Sequence, residues 1–61
     1  MIKMREFRLL LGLTQIQMAI AVKVSNSLYE KVEIGTRKPS SEFISKFKKE
    51  YPQFDANSFF N

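Results

Sequence analysis

The chain has 61 residues, of which 44% are hydrophobic, and its ten lysine and arginine residues against six acidic ones give a net charge of +4. A chain of this length buries only about 60% of the surface that its unfolded form exposes, so one small domain with strong local order is expected. Because cysteine and histidine are absent from the sequence, a disulfide framework, a thiol nucleophile, a histidine base and the usual zinc ligands are excluded.

The apolar pattern also argues against a membrane protein. The longest apolar run, Leu9 to Leu11, is far shorter than the ~20 residues of a membrane span. The first six residues carry charge where a signal peptide would have its apolar segment. We therefore expect a soluble cytoplasmic protein.

Glycine and proline residues divide the chain into segments with helical periodicity. A first helix is predicted over residues 3–11, followed by Gly12 as a left-handed C-terminal residue. Its expected buried face carries four apolar residues at helical spacing: Met4, Phe7, Leu10 and Leu11.

Two more short helices follow, separated by a connector of a few residues. A second helix is predicted at about residues 14–21, with Thr14 as its N-cap. A third is predicted at about residues 25–34, with Ser25 as its N-cap.

The last third of the chain favours one longer helix and a final turn. Ser40 or Ser41 can cap the fourth helix, and Pro52 prevents its continuation. Asp55 can cap a last turn. Strand alternation is not sustained anywhere, so the sequence predicts an all-α fold, a compact bundle of four to five short helices, as a single domain over residues 1–61.

Two short helices on a small basic chain are typical of a helix-turn-helix, whose second helix lies in the DNA major groove. The residues that sharpen this interpretation occur in ungapped order: Gly12 Leu13 Thr14 Gln15, Met18 Ala19, Val24 Ser25, Tyr29, Val32 Glu33, Gly35 and Arg37 Lys38 Pro39 Ser40. From about Arg5 to Ser40 the chain resembles the Cro/repressor-type helix-turn-helix family, also called the Xre family.

The resemblance implies a lambda repressor-like DNA-binding fold and a sequence-specific regulator of transcription that binds double-stranded DNA. The small size is most like that of a phage Cro-like repressor in the bacterial cytoplasm or nucleoid. One residue departs from the family pattern, because Lys23 stands in the turn where glycine is common. A left-handed conformation there costs of order 1 kcal/mol.

The resemblance places the first turns of the third helix in the major groove. Asparagine can pair with adenine, lysine can reach guanine, serine can take either role and leucine offers an apolar surface to a thymine methyl group. The implied base-contacting residues are Asn26, Ser27, Leu28 and Lys31. Glu30 either accepts a hydrogen bond from cytosine or pairs with a lysine of its own helix.

Phosphate contacts are expected on both sides of this helix. The implied residues are Thr14, Gln15, Ser25, Thr36, Arg37, Lys38 and Ser40. The alternatives are a helix cap for Ser25 and a solvated surface for the basic loop. For the lysines of the fourth helix, Lys46, Lys48 and Lys49, a solvated outer face is the expectation.

The family pattern also pairs an arginine of the first helix with the glutamate near the end of the third, here Arg8 and Glu33. Such a buried bidentate pair would tie the recognition helix to the body of the domain. The alternative is two unrelated surface charges.

Two groups of apolar residues are not explained by DNA contact and form a candidate dimer or partner surface. Ile16 and Ile20 lie four residues apart on the second helix, where the family carries charged residues. The aromatic tail contributes Tyr51, Phe54, Phe59 and Phe60. A homodimer on a pseudo-palindromic operator follows as the expected assembly.

An enzyme is not expected, because the sequence has neither histidine nor cysteine and no pair of carboxylates converges in this interpretation. No metal, cofactor, membrane or small-molecule ligand is implied. The alternative to a repressor is a protein-interaction module on the same fold, an antitoxin or anti-repressor that acts through its hydrophobic patch.

Overall fold

Four α-helices and one 3-10 helix follow one another along the chain. The computed structural model describes the backbone of residues 2–60 and the side chains of residues 2–59. The helices are α1 (Met4–Leu10), α2 (Gln15–Val22), α3 (Asn26–Ile34), α4 (Ser41–Glu50) and the 3-10 helix Ala56–Phe60. The described residues contain no strand, so the predicted all-α fold is confirmed.

Side-chain caps define where three of the helices begin. Thr14 Oγ1 accepts from the Gln17 N–H at 3.1 Å, and the Gln17 side chain accepts from the Thr14 N–H at 2.9 Å. The hydroxyls of Ser25 and Ser40 accept in the same way from the third residue beyond them. Each cap satisfies a backbone donor that the first turn of a helix leaves unpaired.

The core lies where α2 packs against α3 and α4. Ala19 is 2% exposed and its small side chain allows the helix backbones to approach. The buried apolar residues are Met4, Met18, Ala19, Val22, Tyr29, Val32, Phe43, Phe47 and Phe54. They come from every helix except the 3-10 helix, whose Phe59 packs against them from outside.

The face of α1 that enters the core differs from the expected one. Met4 and Arg8 are buried, whereas Leu10 is 77% exposed and Leu11 is 40% exposed. Residues four apart share a helix face, and Leu10 is turned more than 100° away from the Met4–Arg8 line. Leu10 therefore lies outside the expected buried face, and Leu11, which follows the last residue of α1 as its C-cap, is also exposed.

Three residues of the aromatic tail, Tyr51, Phe54 and Phe59, pack at the base of the core, although they were candidates for a partner surface. The Phe47 ring centroid lies 5.0 Å from that of Phe54 and 5.2 Å from that of Phe59. Phe54 is 2% exposed, and Tyr51 and Phe59 are half-buried in the same cluster. Phe54 is therefore inaccessible to a partner, which corrects the expectation for this residue, while the side chain of Phe60 lies outside the described residues.

Two lysines of α4 hold neighbouring backbone segments, although a solvated outer face was the expectation. Lys48 Nζ donates to the carbonyl of Pro52 at 2.8 Å and to that of Phe54. Lys46 Nζ donates to the carbonyl of Lys23 at 3.3 Å. These bonds attach the tail and the α2–α3 turn to α4.

The turn between α2 and α3 is made by a non-glycine residue in the left-handed region. Lys23 has φ 64° and ψ 44°, and it is the one non-glycine residue with positive φ in the described chain. Its N–H donates to the Ile20 carbonyl, and the next N–H, of Val24, donates to the Ala19 carbonyl. The closing hydrogen bonds hold the turn in this conformation despite the side chain.

We predict that Lys23→Gly raises the free energy of unfolding by up to about 1 kcal/mol, because glycine removes the steric cost of the left-handed region. Urea denaturation followed by circular dichroism measures the change. Lys23→Ala is the control, since it removes the amine and keeps the β-carbon, and it should give no gain. If Lys23→Gly were less stable than Lys23→Ala, this would contradict a steric cost of the left-handed conformation at residue 23.

Candidate nucleic-acid interface

The exposed face of α3 carries polar side chains at its N-terminal end. Asn26, Ser27 and Lys31 are all exposed. At 100° per residue they lie within less than half of the helix circumference, while Tyr29 and Val32 point into the core. The structure therefore leaves three of the four predicted base-contacting side chains open to an external ligand.

The fourth predicted base-contacting residue, Leu28, is placed differently. It is half-buried and packs against the core, although the sequence placed it on the exposed side. The position of Leu28 on the helix, four residues before Val32, explains this, because residues four apart share a face. Its apolar surface is therefore only partly available.

Glu30 lies on the exposed face of α3. One of its two expected roles was an ion pair with a lysine of the same helix, and the described residues do not show this pair. Within residues 2–60, carboxylates within 4.0 Å of a basic nitrogen are confined to two pairs, Arg8–Glu33 and Lys46–Glu42. Lys31 consequently has no carboxylate neighbour in the described chain.

The basic loop after α3 is fixed against the end of that helix. The Thr36 hydroxyl donates to the Lys31 carbonyl at 3.2 Å, and the Arg37 N–H donates to the same carbonyl at 3.2 Å. Arg37 and Lys38 are exposed, and neither has a carboxylate within salt-bridge distance in the described chain. The backbone of Arg37 is thus held at the C-terminal half of α3, with Lys38 following it, while Ser40 serves as the N-cap of α4.

The N-terminus of α2 carries the other predicted phosphate contacts. Thr14 and Ser25 are exposed, and their hydroxyls are already helix caps. Gln15 is half-buried, and its amide Nε2 donates to Glu33 Oε1 at 3.2 Å. This contact was not predicted from the sequence. It holds the Gln15 side chain against α3.

Arg8 and Glu33 form a buried bidentate ion pair between α1 and α3. Arg8 Nε donates to Glu33 Oε2 at 2.9 Å, and a terminal guanidinium nitrogen donates to Oε1 at 3.0 Å. The other terminal nitrogen donates to the Leu13 carbonyl at 2.9 Å. The two side chains are 10% and 1% exposed, so the pair is shielded from solvent.

The ionisation of Glu33 depends on these partners. Burial alone would raise the pKa of the Glu33 carboxyl, but the hydrogen bonds from Arg8 and Gln15, together with the nearby Tyr29 hydroxyl, outweigh it and lower the pKa below its ordinary value. The pKa of Arg8 is raised, chiefly by its hydrogen bond with Glu33. Both groups are therefore held in their charged forms.

Tyr29 borders the same pair from the third helix. Its hydroxyl is buried and meets no hydrogen-bond partner at standard geometry within the described residues. Burial, and then the nearby Glu33 carboxylate, raise the pKa of this hydroxyl. Tyr29 stands four residues before Glu33, so the helical spacing alone indicates that the two share a face.

A family model described as helix-turn-helix matches residues 4–51, which span α1 to the end of α4. The chain belongs to this Cro/repressor-type helix-turn-helix family, whose members are DNA-binding regulators. No match is found among the curated proteins or among the solved structures. Every helix in residues 2–60 is too short or too polar to cross a membrane.

We predict that Arg8→Ala lowers the free energy of unfolding by about 3–5 kcal/mol, because it leaves the Glu33 carboxylate buried without its partner. Arg8→Met combined with Glu33→Leu should recover most of this loss, since no charge then remains to be satisfied. Urea denaturation of the three proteins gives the comparison. A solvent-exposed ion pair contributes less than about 1 kcal/mol, so a loss of that size for Arg8→Ala would contradict a buried Arg8–Glu33 pair.

Acid should weaken the fold through Glu33. Because folding lowers its pKa below the ordinary 4.5, the carboxylate stabilises the fold above that pH, and the contribution disappears as the pH falls through the folded value. Between pH 6 and pH 3, the native chain should therefore lose more stability than the Arg8→Met, Glu33→Leu protein in urea titrations. Equal losses in the two proteins would contradict this assignment.

Proposed function

We propose that the chain is a transcriptional repressor that binds a pseudo-palindromic operator as a homodimer, with α3 in the major groove. The observation that carries the proposal is the exposed polar face of α3 on a helix followed directly by two basic residues, neither of which has a carboxylate within salt-bridge distance in the described part of the chain. Asn26, Ser27 and Lys31 are exposed there, and Arg37 and Lys38 follow in a loop fixed to the same helix.

The chemistry of the three side chains suits base edges in the major groove. Asn26 can bind adenine N6 and N7 with two hydrogen bonds, Lys31 can donate to guanine O6 or N7, and Ser27 can donate or accept. Glu30, which has no ion pair in the described chain, can accept from a cytosine amino group. We assign sequence readout to these side chains, with Leu28 contributing only its exposed part.

Phosphates on either side would set the position of α3 in the groove. Arg37 and Lys38 would supply charge on one side, and the N-terminal turn of α2 would supply backbone N–H groups on the other, together with the Gln15 amide, whose Nε2 also donates to Glu33. Such contacts carry no sequence information, but they fix the register of the helix on the duplex.

Dimeric binding would place two copies of α3 in successive major grooves on one side of the duplex. The half-sites of the operator are then expected about one helical turn, ~34 Å, apart. This arrangement fits a small regulator of a phage or a bacterium that acts on DNA in the bacterial cytoplasm.

A second candidate function rests on the two isoleucines of α2. Ile16 is 58% exposed and Ile20 is 71% exposed, and the two lie one turn apart. An antitoxin or anti-repressor would use this apolar pair to bind another protein. In that case the exposed face of α3 would contribute little to function.

Selection of bound sequences from a random duplex library, followed by affinity measurements at two salt concentrations, tests the proposal. The expected result is an enriched inverted repeat, bound at least a thousandfold more tightly than random DNA. Binding without enrichment would contradict sequence-specific repression and favour the protein-interaction alternative.

Variants separate the two functions. We predict that Arg37→Ala with Lys38→Ala reduces the slope of log affinity against log salt by about 3.6 for the homodimer, because four phosphate contacts are lost and each contributes ~0.9. Lys49→Ala, which removes an exposed lysine of α4, is the control and should change the slope little. If Ile16→Ala with Ile20→Ala abolishes binding while the basic variant retains it, the assignment of the DNA surface is wrong.

A further inference from the structure

One large apolar side chain on α3 takes no part in the core. Ile34, the last residue of α3, is 62% exposed. It is not needed to end the helix, because Gly35 provides the left-handed C-terminal residue and its N–H donates to the Lys31 and Val32 carbonyls. Neither packing nor capping therefore accounts for an isoleucine at this position.

Ile34 shares the exposed face of α3 with the polar side chains assigned to base readout. It follows Ser27 by seven residues, Glu30 by four and Lys31 by three, which are the spacings of a single helix face. A duplex that contacts Ser27 and Lys31 would therefore meet Ile34 further along the same helix.

The major groove presents one apolar group to such a side chain, the C5-methyl group of thymine. Leu28 was the sequence-based candidate for this contact, but it is half-buried against the core, whereas Ile34 is open. We propose that Ile34 reads a thymine methyl group and is a specificity-determining residue of the interface. This inference rests on the proposed DNA-binding function.

The helix geometry places the thymine within the half-site. Seven residues of α-helix span about 10 Å, which corresponds to about three base pairs along the duplex. The thymine that Ile34 contacts is thus expected about three base pairs from the position that Ser27 contacts, at the end of the half-site reached by the C-terminus of α3.

Replacing thymine by uracil tests the contact, because uracil keeps every hydrogen bond of the base pair and lacks only the methyl group. The enriched operator is prepared with uracil at one thymine position of each half-site at a time, and affinities are measured for the native chain, Ile34→Ala and Leu9→Ala. Leu9→Ala is the control, since it truncates an exposed leucine of α1 that belongs neither to the proposed DNA-binding face nor to the candidate partner surface. Thermal unfolding of each protein verifies that it is folded.

For the native chain we expect uracil at one position of each half-site to lower affinity about fifteenfold, the equivalent of two buried methyl groups, one for each copy of the homodimer. Ile34→Ala should bind the thymine operator correspondingly more weakly and be insensitive to uracil at that position, while Leu9→Ala keeps the native profile. A native chain without a uracil-sensitive position, or an Ile34→Ala profile identical to the native one, overturns the inference and leaves the proposed function intact. Failure of the native chain to enrich any sequence overturns both.

Discussion

The buried ion pair between Arg8 and Glu33 is the interaction on which the arrangement of the helices depends. Through it, α1, the Leu13 carbonyl and Gln15 of α2 are all linked to the C-terminal half of α3. Two charges shielded from water are costly unless every partner is in place, so the geometry of the pair tolerates little change in the angle between α1 and α3. Arg8 occupies a position on the inward face of α1 that an apolar residue would otherwise fill. The Arg8–Glu33 pair therefore defines the orientation of α3 as much as it contributes to stability.

A fixed α3 has a direct consequence for recognition. Buried contacts on one side of the helix leave Asn26, Ser27 and Lys31 on the other, and the left-handed turn at Lys23 sets where the helix starts. Hydrogen bonds from Thr36 and Arg37 to the Lys31 carbonyl then fix the basic loop at its end. The groups proposed to read bases and to bind phosphates are thus arranged before DNA arrives, which would reduce the ordering cost of binding.

Much of this could be predicted from the sequence, and the failures have physical causes. N-cap residues and glycine stops indicated the helices because capping is a local property, and the spacing of matching residues indicated the helix-turn-helix. Helical periodicity alone could not show that Arg8 is buried and Leu10 exposed, since the inward position is decided by a partner 25 residues away in the chain. The aromatic tail was similarly ambiguous, because Phe54 becomes a core residue only when Phe47 is beside it. The spacing of Ile34 to Ser27 places both residues on one face of α3, but an apolar side chain does not by itself indicate an exposed position.

The central claim is that the exposed face of α3 and the loop that follows it form the DNA-binding surface. Nuclear magnetic resonance of the isotope-labelled chain, titrated with its selected operator duplex, measures this residue by residue. The account predicts that the largest amide shifts fall in residues 25–31 and 36–40, with a distinct shift of the Asn26 side-chain amide. Shifts concentrated on the lysines of α4 or around Ile16 and Ile20, with residues 25–31 unchanged, would contradict it.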